Sequence, residues 1–165
     1  MNIKIFTTGG TIDKVYFDAT SEFQVGESTL DEIFREANVV FDYDIVSLMR
    51  KDSLEILDVD RQSVREKICN CEQQRILITH GTDTMADTAA FLMGIEDKTI
   101  VLTGAMQPAR LRSTDAIFNV GYAVAATQIL PAGIYIAMNG KVFSAGSVRK
   151  NRQAQRFEST AMDSD

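Results

Sequence analysis

The chain has 165 residues, 45% apolar and 24% charged, with 23 acidic against 17 basic side chains and a formal net charge of −6. That is the length of one domain, able to bury roughly 68–70% of its unfolded surface without help from a disulfide or a metal. Disorder and fibre-like low complexity do not fit this composition, charged or polar residues interrupt every long apolar stretch, and an acidic chain repels phosphates, so neither membrane nor nucleic acid is expected as a partner.

In chain order, Ile3 to Thr8 is a short β-prone run that delivers the backbone to Gly9-Gly10. It reads as a buried strand ending in a glycine turn. Asp13 to Ser28 is polar and mixed, and reads as a long loop and hence a functional lid. Ser28 or Thr29 can cap a helix over Leu30 to Phe34, with Asp31 and Glu32 in its first turn. Phe41 to Met49 is a strand, and Asp58 or Asp60 caps a helix through Val64 and Ile68. Arg75 to Thr79 is the third strand; it ends at His80-Gly81-Thr82-Asp83-Thr84, and Met85 to Met93 is a helix stopped by Gly94. Thr99 to Thr103 is a strand ending at Gly104. Ser113 or Thr114 opens a long helix through Asp115, Phe118, Val120 and Val124 to Ala126, and Pro131 breaks the chain. Gly133 to Met138 is the last clear strand, followed by the Asn139-Gly140 turn and a short hairpin arm at Val142-Phe143. Beyond Lys150 the chain is polar and unpatterned.

Strands and helices alternate, so the expected fold is α/β, a mostly parallel sheet covered on both faces, with ligands at the carboxyl ends of its strands. Two segments stand at such ends: Thr7-Thr8-Gly9-Gly10-Thr11-Ile12 and His80-Gly81-Thr82-Asp83-Thr84-Met85. In the first, two glycines let the backbone turn sharply and present the Thr11 hydroxyl, although the same residues also make an ordinary strand-to-loop turn. Neither dinucleotide nor Walker phosphate patterns are present. In the second, Thr82, Asp83 and Thr84 set two hydroxyls and a carboxylate at a helix start, where Thr82 or Asp83 would also serve as a cap. His80 is the single histidine. It is a candidate general base, but more naturally a buried residue fixing a strand end. Cys69 and Cys71 read as reduced thiols near a helix end; a metal half-site or redox pair is the alternative, and the common zinc spacings are missing. No signal-peptide core precedes the first strand, so a cytoplasmic location is expected.

Thr-Gly-Gly-Thr-Ile at the start, with His-Gly-Thr-Asp-Thr-Met-x-x-Thr-Ala about 70 residues on, resembles the bacterial-type L-asparaginase and glutaminase–asparaginase family. Val101-Leu102-Thr103-Gly104-Ala105-Met106-Gln107-Pro108 resembles that family's V-x-x-G-A-M-R-P, and Ser113 to Asn119 its S-A-D-G-P-F-N. The resemblance implies a flavodoxin-like, Rossmann-like three-layer sandwich of the asparaginase N-terminal type over residues 1–157, with 158–165 as a polar tail. It implies hydrolysis of a side-chain amide, asparagine first and glutamine second, without metal or other cofactor. Thr11 falls on the family's nucleophile, and Thr82 and Asp83 on the second threonine and its neighbouring aspartate. Ser-Val-Arg-Lys sets Lys150 where the family has its catalytic lysine. A threonine hydroxyl needs a base, and a desolvated lysine can serve. Asp83 would orient that lysine and bind the substrate's ammonium. Asp52, Ser53 and Gly81 are the expected substrate-binding residues, Ser53 for the substrate carboxylate.

Three departures from the family pattern stand out. Phe23 occupies the place of a lid tyrosine, for which Tyr16 is the available substitute. Leu54 follows Ser53 where the family has a polar group, with cationic Arg50 and Lys51 nearby. The family's smaller second domain, which reaches a neighbouring subunit's site, has no counterpart in these residues. A homodimer or larger even assembly is therefore expected. Two other functions suit the same motifs: an amino-acid sensor without turnover, and a glutaminase-like subunit of a tRNA-dependent amidotransferase. The sensor has no need of Thr11 and Lys150 together; the subunit needs further domains and a basic surface.

Overall fold

The computed structural model describes residues 2–18 and 21–160. Its frame is a six-stranded sheet in the order β4-β1-β5-β6-β7-β8. These strands are β1 (Asn2–Gly9), β4 (Asp42–Lys51), β5 (Arg75–Thr79), β6 (Thr99–Thr103), β7 (Gly133–Met138) and β8 (Lys141–Ser144). The first five are parallel, and β8 returns antiparallel on β7 through the Asn139-Gly140 turn. Residues 75–79, 99–103 and 133–138 pair as the sequence suggests. All of β6 and nearly all of β1 and β5 are buried, so these strands read as continuous Ile, Leu, Val and Thr runs rather than as alternation.

Period-2 geometry divides those runs between two cores. Ile76, Ile78, Ile100 and Leu102 face α2 (Asp58–Asn70) and α3 (Met85–Phe91), where Val64, Ile68, Met85 and Ala89 complete the packing. Leu77 and Val101 face the other way, toward Leu30 and Phe34 of α1 (Leu30–Glu36) and Val120 and Ala123 of α4 (Ala116–Ile129). The result is the expected helix–sheet–helix sandwich. Among the described residues no helix is long and apolar enough to cross a membrane.

The caps differ in detail from the sequence reading. Helix α2 starts after Leu57, whose N–H donates to the Asp60 carboxylate (2.9 Å), so Asp60 caps from inside the first turn. At α4 the Thr114 hydroxyl accepts from the Ala116 N–H (3.0 Å).

Two segments read as irregular are hairpins. The expected lid loop, Asp13 to Ser28, is entered through a 3-10 turn at Thr11–Asp13 and contains antiparallel strands β2 (Lys14–Phe17) and β3 (Glu22–Val25). The ribbon carries apolar side chains, Val15, Tyr16, Phe17, Phe23 and Val25, but none of them is buried, so no alternation of buried and exposed positions marks the two strands. The stretch after Lys150 forms β10 (Arg156–Ser159), antiparallel to β9 (Val148–Asn151). One apolar side chain, Phe157, anchors it in the core, and one residue is too little to make a period. Strand β10 crosses the expected boundary at 157/158.

Candidate active site

Numbered among the five parallel strands, the sheet order is 2-1-3-4-5. In that order the crevice lies between the carboxyl ends of the first and third strands, where the connections leave in opposite directions. Those strands are β1 and β5, and they carry the two motif segments.

The turns after them are in backbone contact. A Cβ built on Gly10 would lie 2.4 Å from both Gly81 Cα and Gly81 N, so only glycine lets the turns approach this closely. Gly10 also has φ +87°, the left-handed region, and its N–H donates to the Lys51 carbonyl (2.9 Å). Ser53 closes the far side: a Cβ on Gly81 would meet Ser53 Cβ at 2.6 Å and Oγ at 2.7 Å. Ser53 is buried, and its carbonyl accepts from the Thr84 hydroxyl (2.7 Å). Thr11, Gly81, Thr82 and Ser53 thus belong to one cluster, drawn from three strand ends.

Lys150 enters from β9. Its Nζ donates to Thr82 Oγ1 at 2.7 Å and to Asp83 Oδ1 at 3.0 Å, across 68 and 67 residues of sequence. The lysine side chain is 15% exposed and Asp83 30%, so the pair is largely shielded from water. Asp52 stands at the edge. It accepts from the Leu54 N–H (3.2 Å) and pairs with Lys14 of the hairpin (2.9 Å). The Lys14 hydrogen bond, helped by the Leu54 N–H, holds the Asp52 carboxyl below the ordinary carboxylate range against partial desolvation.

His80 is no base. Its Nδ1–H donates to the Gly81 carbonyl (2.7 Å), and Nε2 accepts from the Thr88 hydroxyl (2.9 Å), whose oxygen in turn accepts from Arg61 Nε (3.1 Å). Both ring nitrogens are occupied, and burial pushes the pKa down to about 4. The histidine is a neutral strut that shapes the 80–84 turn, the plainer of its two sequence readings. Arg50 and Lys51, candidates for a cationic rim, are paired instead, with Glu27 (3.0 Å) and Asp60 (2.8 Å). Tyr16 and Phe23 stack edge-to-face on each other across the hairpin (5.4 Å), each half exposed. Phe23 lines a cavity of about 270 Å³ together with Lys14, Asp52 and Glu55. Cys69 and Cys71 are free thiols, and among the described residues no group of three His, Cys, Asp or Glu side chains converges.

Sequence reasoning missed the brace that positions Lys150. Asp115 accepts from the N–H groups of Met106 and Gln107 and from Asn119 Nδ2 (2.9–3.0 Å). Asn119 donates to the Gly104 carbonyl (3.1 Å), and its Oδ1 accepts from the Asn139 N–H (3.2 Å). Asn139 Oδ1 accepts from the N–H of Phe157, the residue opposite Lys150 in the hairpin. Their signal was present in Ser-Thr-Asp-Ala-Ile-Phe-Asn and in the Asn-Gly turn, but nothing local says that these polar groups meet. Arg152 was also missed; its Nε lies 3.3 Å from Asp83 Oδ1.

The profile of a family described as Asparaginase, N-terminal, matches residues 2–163. The glutaminase-asparaginase of Acinetobacter glutaminasificans is 31% identical over 164 residues, covering 90% of this chain and 49% of that protein. L-asparaginase 2-3 of Saccharomyces cerevisiae is 34% identical over 158 residues, covering 87% and 43%. The thermostable L-asparaginase from Thermococcus kodakarensis superposes with a TM-score of 0.84 at 26% identity. A probable cytoplasmic L-asparaginase from Campylobacter jejuni gives 0.80 at 30%. Each of these structures is matched over 96% of this chain and 51% of its own. The chain spans about half the length of the curated relatives it matches. Motifs, sheet order and relatives agree: this chain belongs to the asparaginase family, through the family's N-terminal domain.

Proposed function

We propose that this protein hydrolyses side-chain amides of the asparagine and glutamine type through a threonine nucleophile. The observation that carries the reading is the contact of Lys150 Nζ with Thr82 Oγ1 and Asp83 Oδ1, made beside the glycine-turn threonine. Thr11 attacks the amide carbon. Lys150, aligned by Asp83, takes and returns protons through Thr82 and water, since the one histidine is fully hydrogen-bonded and neutral. Backbone N–H groups of the two turns hold the oxyanion. Ammonia leaves with the broken C–N bond, and water then cleaves the Thr11 ester. Ser53 and Gly81 form the floor against which the substrate's acid end rests, with Asp52 at the rim.

The working unit of this reading is a homodimer or larger even assembly whose neighbouring subunit completes the open side of the site. It is supported by α4, which carries no charged residue and exposes Ile117, Phe118 and Ile129. The location is cytoplasmic, in keeping with two unbonded thiols.

The test is ammonia release from asparagine and glutamine by wild type and by Thr11→Ala. The variant should fold as wild type, shown by an unchanged circular dichroism spectrum and melting curve, and release no ammonia. A near wild-type rate in Thr11→Ala ends the assignment.

A further inference from the structure

Arg61 is a buried cation that the proposed reaction leaves unused. It stands on α2, 8% exposed, with Nη1 donating to Asp58 at the surface (2.9 Å) and Nε donating inward to Thr88 Oγ1 on α3 (3.1 Å). Thr88 in turn meets His80 Nε2, and His80 Nδ1 meets the Gly81 carbonyl. The groups at the two ends set the direction of each proton along this line. Arg61 can only donate, so Thr88 Oγ1 accepts there and its own proton goes to Nε2. The Gly81 carbonyl can only accept, so Nδ1 carries the hydrogen of the ring. Burial first, and the Arg61 charge after it, keep the ring from taking a second proton. Without Arg61, Thr88 Oγ1 becomes an open acceptor that serves the opposite tautomer equally well. In that tautomer the Nδ1 lone pair faces the Gly81 oxygen and repels it. Arg61 therefore selects the tautomer through Thr88.

The peptide at the end of the line joins Gly81 to Thr82. It is trans, so its C=O and N–H point in opposite directions. Drawing the oxygen onto the buried ring turns the Thr82 N–H away from it, and that N–H meets no acceptor among the described residues. The backbone just before is fixed by the sheet: the His80 N–H donates to the Thr103 carbonyl (2.9 Å), and Gly104 packs on the His80 carbonyl with no room for a Cβ. Gly81 lies beyond that pairing, and a glycine peptide turns easily. The imidazole is what holds its plane.

We propose that Arg61 is a positioning residue for the amide hydrolysis: acting through Thr88 and His80, it holds the Gly81–Thr82 peptide so that the Thr82 N–H is presented as an oxyanion donor. The inference rests on the amidohydrolase reading above and adds to it what aligns one of the donors. Arg61 touches no reacting atom. No bond is made or broken along the line, and each proton stays on its own heavy atom. The donor acts at full strength only if it is already aligned when charge develops on the amide oxygen.

The experiment uses Arg61→Met, which keeps an unbranched stem without a donor, and Arg61→Lys, which can still only donate. Both are made in wild type and in His80→Asn, whose amide nitrogen takes the place of Nδ1 and has no tautomer to lose. With asparagine as substrate, Arg61→Met should lower kcat by about 10–100-fold and leave KM within about twofold, because the donor works only in the transition state. Arg61→Lys should stay within about threefold of wild type, and in His80→Asn the change Arg61→Met should cost less than about twofold. A merely structural arginine would cost the same in both backgrounds. The chain has one histidine, so its imidazole nitrogen spectrum reads the tautomer directly. Wild type and Arg61→Lys should carry the hydrogen on Nδ1; Arg61→Met should move it toward Nε2 and shift the Thr82 amide resonance. Should Arg61→Met not fold, Arg61→Gln, which offers Thr88 a donor or an acceptor, takes its place. An unchanged imidazole spectrum, an equal rate loss in both backgrounds, or a loss in KM alone overturns the proposal. No ammonia from either amide with wild type sinks the amidohydrolase reading, while the spectra still decide whether Arg61 holds the Gly81–Thr82 peptide.

Discussion

Gly10 and Gly81 touch backbone to backbone: a methyl group on Gly10 would sit 2.4 Å from the Gly81 Cα. That contact sets the turn carrying Thr11 against the turn carrying Thr82, and Ser53 backs it from the other side of Gly81. Gly81→Ala drives a methyl group to 2.6 Å from Ser53 Cβ, and the turns must part. The expected cost is about 1–3 kcal/mol of stability, and ammonia release on the order of 10² slower, because a 1 Å misplacement has that effect. Gly10→Ala adds a strained φ and a clash with backbone that cannot swing aside, and should cost about 3–5 kcal/mol. Urea denaturation and ammonia release on both variants check this; equal stability of Gly10→Ala and wild type contradicts it.

Lys150 reaches Thr82 across 68 residues, while Arg152 keeps Asp83 paired if the lysine is lost. Lys150→Met is therefore expected to separate chemistry from stability. The rate constant should fall by about 10²–10⁴, the usual worth of a positioned proton-transfer group. The melting temperature should move by no more than about 4 °C, corresponding to ~1 kcal/mol in a chain of this size. A melting shift of 10 °C or more would mean that Lys150 is chiefly a structural pin.

Two buried groups titrate in opposition. Burial raises the Asp13 carboxyl to about 6, against an ordinary 3.8, outweighing its bond from the Thr29 N–H. Between those values the folded chain keeps a proton that the unfolded chain has released, so stability falls as pH rises from about 4 to about 6. Burial lowers His80 to about 4, against an ordinary 6.5. There the unfolded chain binds a proton that the folded chain refuses, so stability falls as pH drops from about 6.5 to about 4. The two slopes oppose each other in one window, and Asp13→Asn removes the first. The variant should be up to about 3 kcal/mol more stable than wild type at pH 7 and equal to it below pH 4, with a steeper acid loss in between. Urea midpoints at pH 4, 5, 6 and 7 decide; a stability difference that does not change with pH rules the account out.

The outer face of α4 tests the assembly. Phe118 is 62% exposed and stacks on Tyr122 with ring centroids 6.2 Å apart, flanked by Ile117 and Ile129 on a helix without charge. A helix that is apolar all round is ordinarily covered. Light scattering behind size exclusion at micromolar concentration should give twice the chain mass or a higher even multiple. Phe118→Asp should shift the protein toward the monomer, with an unchanged far-ultraviolet spectrum. A monomeric wild type that turns over amides efficiently would show that one subunit builds the whole site.

The sequence by itself determined the frame and most of the candidate site residues. The runs at 75–79, 99–103 and 133–138 are strands because β-prone apolar residues buried on both faces leave a continuous signal. Thr11, Thr82 and Asp83 were legible because each lies within a few residues of a glycine turn, and a turn is encoded locally. Tertiary structure decided what is assembled at a distance. The exposed strands at 14–17 and 22–25 and the strand at 156–159 bury too few residues to leave a period in the sequence. His80 became a neutral strut only when Thr88, Arg61 and the Gly81 carbonyl closed around it. Lys150 and Arg152 meet Asp83 only because Asp115, Asn119 and Asn139 hold the last hairpin against the sheet. Hydrogen bonds between residues far apart in the chain leave no periodicity in it; they exist once packing has brought the partners within 3 Å and excluded the water that would otherwise compete for them.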